Sequence, residues 1–299
     1  MKAMRACARV AVVLALVLGV MMVPATAEAA VTVKAGGTRV GYYDTGGISG
    51  GIGQSEQVPP ITTAGGTAIL ITDPTAAQLS GIDVLFAQNG RFTDVGSEWL
   101  SRAADVAAWV SGGGVLIMHD RWVNAGISIP GSRGISFVRN TDTFSRDIDV
   151  NNSSTRVTNG PGGIVTNTTL DTTNGPVSSN GYVAAATLPG GAVNPLVRGD
   201  TGGGGGDAVG IGSAPASLRP VGVGPLAARS SEVVTTCYAV GSGRVIYSTI
   251  NLAYYLDSND VNFRTIYAPN VVKWGMEGAC AGGFRFPFPL LGLVDPLGG

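Results

Sequence analysis

The sequence predicts an α/β protein: a mainly parallel sheet sandwiched by helices and interrupted by a β-rich insertion. Three observations lead there. Residues 82–122, IDVLFAQNGRFTDVGSEWLSRAADVAAWVSGGGVLIMHDRW, read as strand, helix, strand, and they contain the only histidine, His119. Residues 67–72, TAILIT, form the short continuous apolar run of a parallel strand covered on both faces. EVVTTCYAV, the turn GSG and GRVIYSTI then read as a hairpin. Strands that alternate with helices or short crossovers pair in parallel, since a crossover over one face returns the chain in the same direction.

Taken in order, residues 38–44 (TRVGYYD) alternate enough for a strand, and GGISGGIGQSEQVPP after them reads as loop from its glycine and proline. TAILIT ends at Asp73-Pro74, and residues 75–80 make at most a short helical turn before the strand 82–88. The main helix starts near Ser97, expected as its N-cap, with Glu98 favourable in the first turn. Trp99, Ala103, Val106 and Val110 recur at helical spacing and form its apolar face. Gly112, Gly113 and Gly114 stop it and lead into the strand 115–118.

From about 128 to 231 short β-type runs and turns replace the helical periodicity. A structureless loop of that length does not fit a compact domain, so a small β-rich insertion with a Gly-rich tip is expected. A last helix follows from about Asn259, capped by Asn259 or Asp260, and Pro269 either kinks it or opens a second helix.

Residues 1–29 have the layout of a secretory signal: Lys2, Arg5 and Arg9, then an apolar run from Val10 to Val23, then ATAEAA. That run falls short of the roughly 20 residues that cross a bilayer, and the apolar tail at 280–299 is broken by prolines. The remaining chain, 30–299, is therefore expected outside the cytoplasm and not membrane-spanning. Removal of the leader leaves 16 basic and 19 acidic residues, a net charge of −3, which argues against a nucleic-acid partner. It also removes Cys7, leaving Cys237 and Cys280, read as a disulfide in an oxidising compartment, with two buried free thiols as the alternative.

Several patterns resemble a known family. DVLFAQNG, the passage AAWVSGGGVLIMHD and the hairpin GSGRVIYSTI look like the class I glutamine amidotransferase-like superfamily, whose members are flavodoxin-like α/β sandwiches. GGGVLIMH is similar to the trehalose-utilisation-type branch, and NGPGGIVTNTTLD with LPGGA resembles secreted bacterial members. The resemblance spans residues 38–276 in topology and short motifs in residues. It also has a decisive departure. Amidotransferases of this fold carry a cysteine at a sharp strand-to-helix elbow and a downstream histidine with glutamate, whereas LIMHDRW has no cysteine and no histidine follows His119. Glutamine hydrolysis is not expected.

Ligands of open α/β sheets bind beyond the carboxyl ends of the strands. Those ends carry Asp44, Asp73, Asn89, His119, Asp120 and Asn251, which are the candidate site. Asp and Asn also close turns through their own backbone bonds, so each has a purely structural reading as well. His119 beside Asp120 suits a general base, one ligand of a metal site, or a hydrogen-bonded residue at the sheet edge. No cofactor is implied by a motif; a metal at this carboxylate-rich edge would be calcium or magnesium, with zinc disfavoured by the single histidine.

Other motifs carry less. Gly47-Ile48-Ser49-Gly50-Gly51 matches G-x-S-x-G without the helix of a nucleophile elbow, residues 202–210 match a calcium nonapeptide only once, and 147–151 begin a calcium loop without its later ligands. The expected function is an exported binding or structural module at the cell surface, toward carbohydrate or another envelope ligand, without amidotransferase activity. The alternative is a carbohydrate-active hydrolase or other enzyme using His119 with nearby Asp and Asn side chains.

Overall fold

A computed structural model of the chain describes residues 38–45, 54–91, 94–123, 128–139, 147–172, 177–199, 229–258, 260–278 and 280. The leader at 1–29, the G-x-S-x-G match, the Gly-rich tip at 202–210 and the tail after Cys280 lie outside these residues.

The strands are β1 (Arg39–Asp44), β2 (Thr67–Leu70), β3 (Val84–Asn89), β4 (Val115–Asp120), β5 (Phe137–Arg139), β6 (Ile148–Val150), β7 (Asn159–Gly160), β8 (Gly163–Ile164), β9 (Gly181–Ala184), β10 (Val193–Arg198), β11 (Arg229–Val240) and β12 (Gly243–Ser248). The α-helices are α1 (Val58–Thr63), α2 (Ala76–Leu79), α3 (Ser97–Ser111), α4 (Leu252–Asp257) and α5 (Ala268–Glu277). A 3-10 turn, Gln54–Gln57, precedes α1, and a π-helical turn, Asn262–Tyr267, runs into α5.

The main sheet has 10 strands, with the order β2-β1-β3-β4-β12-β11-β10-β6; β9 pairs with β11, and β5 with β9. Its first five strands are parallel and follow the 2-1-3-4-5 order of a flavodoxin-like sheet. The α/β class expected from the sequence is the one observed. The hairpin expected between 232 and 250 is β11 and β12, and β12 completes the parallel set beside β4.

Side chains alternate along each strand, so the sheet builds two cores. On one face Val84, Phe86, Val115 and Ile117 pack with Ile61 of α1 and with Phe263, Tyr267, Val271 and Trp274 at the chain's last helix. On the other, Leu85, Ala87, Leu116 and Met118 pack with Leu79, Trp99, Val106 and Val110 of α2 and α3. Each fully buried aliphatic or aromatic side chain contributes about 1.5–3 kcal/mol, so the helical stripe read from the sequence is what seats α3.

Several expectations need correction. TAILIT is not covered on both faces: β2 is the outer strand, and Thr67 and Leu70 are exposed. Ser97 is the first helical residue and not the cap; Gly96 holds that position, its N–H donating to Asp94 Oδ1. The stretch GGISGGIGQSEQVPP is not loop throughout, because its prolines open α1 at positions where their missing N–H costs nothing. Among the described residues of 128–231, β7 and β8 form a two-stranded ladder of their own, while β6, β9 and β10 add antiparallel strands to the parallel core. Of the two readings of Pro269, the structure takes the second: it lies in the first turn of α5, directly after the π-helical turn.

Candidate functional site

His119 and Asp120 end β4, pairing in register with Gln88 and Asn89 of β3. Strand geometry sends them to opposite faces of the sheet, and their partners show it.

Asp120, fully buried, belongs to the α3 face. Its Oδ1 accepts from Asn89 Nδ2 at 2.7 Å and from the Trp122 backbone N–H at 2.9 Å, and its Oδ2 accepts from the Tyr247 hydroxyl at 2.8 Å. Asn89 Oδ1 in turn accepts from Thr45 Oγ1 at 2.9 Å. Thr45 follows β1, so this bond spans the gap between β1 and β3, where the strand order reverses and ligands of such sheets ordinarily enter. Burial, and then the negative charge of Asp120, push the Tyr247 hydroxyl well above the usual phenol range. It stays protonated and donates.

Two arginines sit over this network. The Arg139 guanidinium stacks 3.7 Å from the centroid of Trp122, which is half-buried. Burial lowers the Arg139 pKa while Asp120 opposes the shift; Arg121, lowered by burial and then by the charge of Arg139, is held at about 10. Both remain cationic at neutral pH.

His119 belongs to the α5 face. Its Nε2 lies 3.0 Å from the Tyr267 hydroxyl, which donates to Ser248 Oγ at 3.0 Å and lies 3.3 Å from Thr235 Oγ1. Phe86 and Tyr267 both meet the imidazole edge to face. With no charged partner, burial alone holds its pKa at about 3, and the ring is neutral.

Asp73, Asp44 and Asn251 have other surroundings. Asp73 pairs with Arg102 of α3 at 2.7 and 2.8 Å, which together with that bidentate bond holds its carboxyl below the usual range. Asp44 ends β1 opposite Gln88 in the ladder. Asn251 caps α4 without a side-chain capping bond, and it is buried. Of the six strand-end residues, Asn89 and Asp120 meet, and His119 turns to the opposite face of the sheet. Cys237 and Cys280 are bonded to each other, a disulfide across 43 residues that ties β11 to the segment after α5.

Sequence reasoning did not single out Tyr247, Tyr267, Thr45, Trp122 or Arg139. One available signal was Gln88, a glutamine directly after the apolar run VLFA, since a polar residue in a strand buried along its whole length must have a role. Among the described residues no group of three or more His, Cys, Asp and Glu is placed to hold a metal ion. Among them, too, no helix is long and apolar enough to cross a membrane.

The fold and these strand ends define a flavodoxin-like α/β protein with added antiparallel strands, its parallel strands closing on buried polar networks. No family model and no curated protein matches the chain. Among solved structures, the Salmonella typhimurium cytoplasmic protein STM3548 is similar at 10% identity and a TM-score of 0.45, over 79% of this chain and 96% of that one. A ThuA-like protein from Parabacteroides merdae is similar at 9% identity and 0.43, over 85% and 94%. A beta-galactosidase from Rahnella sp. R3 is similar at 14% identity and 0.41, over 79% of this chain; the chain spans 31% of that enzyme's length. Likenesses of this size carry no assignment of function.

Proposed function

We propose that the protein is an exported binding module, not an amidotransferase, and that it takes a carbohydrate of the cell envelope at the Asp120 side of the sheet's carboxyl edge. The observation that carries this reading is the platform made by Trp122 and Arg139: a half-buried indole stacked on a guanidinium, its backbone fixed by Asp120. An aromatic plane bordered by fixed N–H donors suits the apolar faces and hydroxyls of a sugar ring. Export rests on the signal-like leader and on the disulfide, a bond that persists in oxidising compartments. The absence of amidotransferase chemistry rests on the cysteines, because Cys237 and Cys280 are consumed by their bond and β4 ends on His119-Asp120.

The alternative, a carbohydrate-active hydrolase with His119 as base, needs an imidazole that reaches substrate and titrates near neutrality. A fully buried ring held at about 3 supports neither. The test is a glycan array probed with the chain lacking residues 1–29, followed by calorimetry on any hit. Binding that is lost in Trp122→Ala and Arg139→Ala and kept in His119→Phe supports the proposal. Absence of any glycan hit, or turnover of a bound glycan that His119→Phe abolishes, overturns it.

A further inference from the structure

The face of the sheet opposite Asp120 holds a set of buried polar atoms that the proposed sugar platform does not use. Gln88 is 1% exposed, and neither its Nε2 nor its Oε1 has a hydrogen-bond partner among the described residues. The same holds for Nδ1 of His119, Oδ1 of Asn251 and Oε1 of Gln57, in residues 1 to 3% exposed. These residues come from four different segments. Gln88 and His119 are ladder partners on adjacent strands, on one face. Asn251 follows β12, whose Ser248 pairs with His119 on its other side. The helix it caps, α4, packs on β3, with Ala253 close to Gly90 at that strand's end. Gln57 lies on the 3-10 turn that packs against both β1 and α4.

A buried polar atom left unpaired costs about 1–3 kcal/mol, and native proteins leave few of them. Five at one sheet edge need a common explanation. We propose that Gln57, Gln88, His119 and Asn251 line an internal site for small uncharged molecules that donate hydrogen bonds, filled by ordered water or by a hydroxyl-bearing solute. The chemistry of the lining selects that class. The Tyr267 hydroxyl donates to Ser248, so the imidazole proton sits on Nε2 and Nδ1 is a bare acceptor. With Gln88 Oε1, Asn251 Oδ1 and Gln57 Oε1 this makes four acceptors against the single amide donor Gln88 Nε2. An O–H donor meets them; a carboxylate or phosphate has nothing to give. None of the four side chains carries charge to offset a buried ion. Water suits such a site because it makes two to four bonds to polar neighbours in a small buried space.

His119 is the only histidine, so its imidazole is an unambiguous reporter. The experiment records the ring's 15N and 1H resonances in the intact, disulfide-bonded chain, with water-exchange cross-peaks, and then titrates glycerol against acetate. The expected result is a hydrogen-bonded Nδ1 with a long-lived water contact. Ring resonances that move and saturate with glycerol and ignore acetate identify a solute site; resonances that ignore both identify a water site. In Gln88→Leu the water contact is lost and the Nδ1 resonance shifts, and Gln57→Leu provides the same reading if the first variant does not fold. A ring with no solvent or solute contact, unmoved by either substitution, overturns the proposal. Trp122→Ala leaves the ring spectrum as it is, which separates this site from the sugar platform.

Discussion

His119 and Asp120 are consecutive in β4 and serve opposite sides of the sheet, His119 toward Tyr267 at 3.0 Å and Asp120 toward Tyr247 at 2.8 Å. A residue pair that reads in sequence as a base beside its carboxylate is divided by the sheet. His119 joins β4 to the helical segment that runs into α5, Asp120 ties it to β3 and β12 within the sheet, and both are buried.

The Asp120 anchor is sensitive to loss of either partner. Tyr247→Phe leaves Oδ2 of a buried carboxylate without its hydroxyl donor and lowers stability by about 1.5–3 kcal/mol. Asp120→Ala strands three donors, from Asn89, Tyr247 and the Trp122 backbone, and costs at least about 3 kcal/mol. Urea unfolding of the two variants checks the order.

Stability falls with acid through His119. Its pKa is near 6.5 in the unfolded chain and about 3 in the folded one, so between those values only the unfolded state binds the proton. The His119 contribution is therefore complete above pH 6.5 and is lost as pH falls toward 3, at a slope approaching 1.4 kcal/mol per unit, order of magnitude. Denaturation curves at a series of pH values show that slope, and His119→Phe removes it.

Reduction of Cys237–Cys280 opens a loop of 43 residues, worth roughly 4 kcal/mol in the chain-entropy account. The oxidised protein, unfolded in denaturant, titrates no thiol at these two positions. Its unfolding midpoint drops when a reductant is added, and Cys237→Ala with Cys280→Ala reproduces the drop without reductant.

Asn270 ties the insertion to α5. Its Oδ1 accepts from the Gly162 N–H at 2.8 Å, and its Nδ2 donates to the carbonyls of Gly163 at 2.9 Å and Val157 at 3.1 Å, all at a fully buried position. Asn270→Leu leaves three backbone groups unpaired and destabilises the chain by about 2–4 kcal/mol. Hydrogen exchange localises the effect to residues 157–163. Gly162→Ala acts at the same contact, because a Cβ there would collide with the Ile266 carbonyl oxygen.

Much of this molecule is legible in local pattern. Periodicity placed α3 through Trp99, Val106 and Val110, apolar runs placed β3 and β4, and the GSG turn placed the β11–β12 hairpin, because helix and strand repeats depend on which residues are apolar and not on what they touch. The paired cysteines are likewise a matter of count. Other features depend on neighbours distant in sequence. TAILIT has the composition of a covered strand, but its place at the sheet edge follows from which strand fails to find a second partner. The insertion's weak β signal says nothing of whether it pairs with itself or with β11. Above all, the six strand-end side chains are equivalent in sequence, and only the alternation of β4 within a sheet covered on both sides sends Asp120 to Tyr247 and His119 to Tyr267, 148 residues away. Sequence alone determined the residues that must be buried; the tertiary fold decided which polar groups met them there, since a hydrogen bond needs a partner at about 3 Å and only packing supplies one.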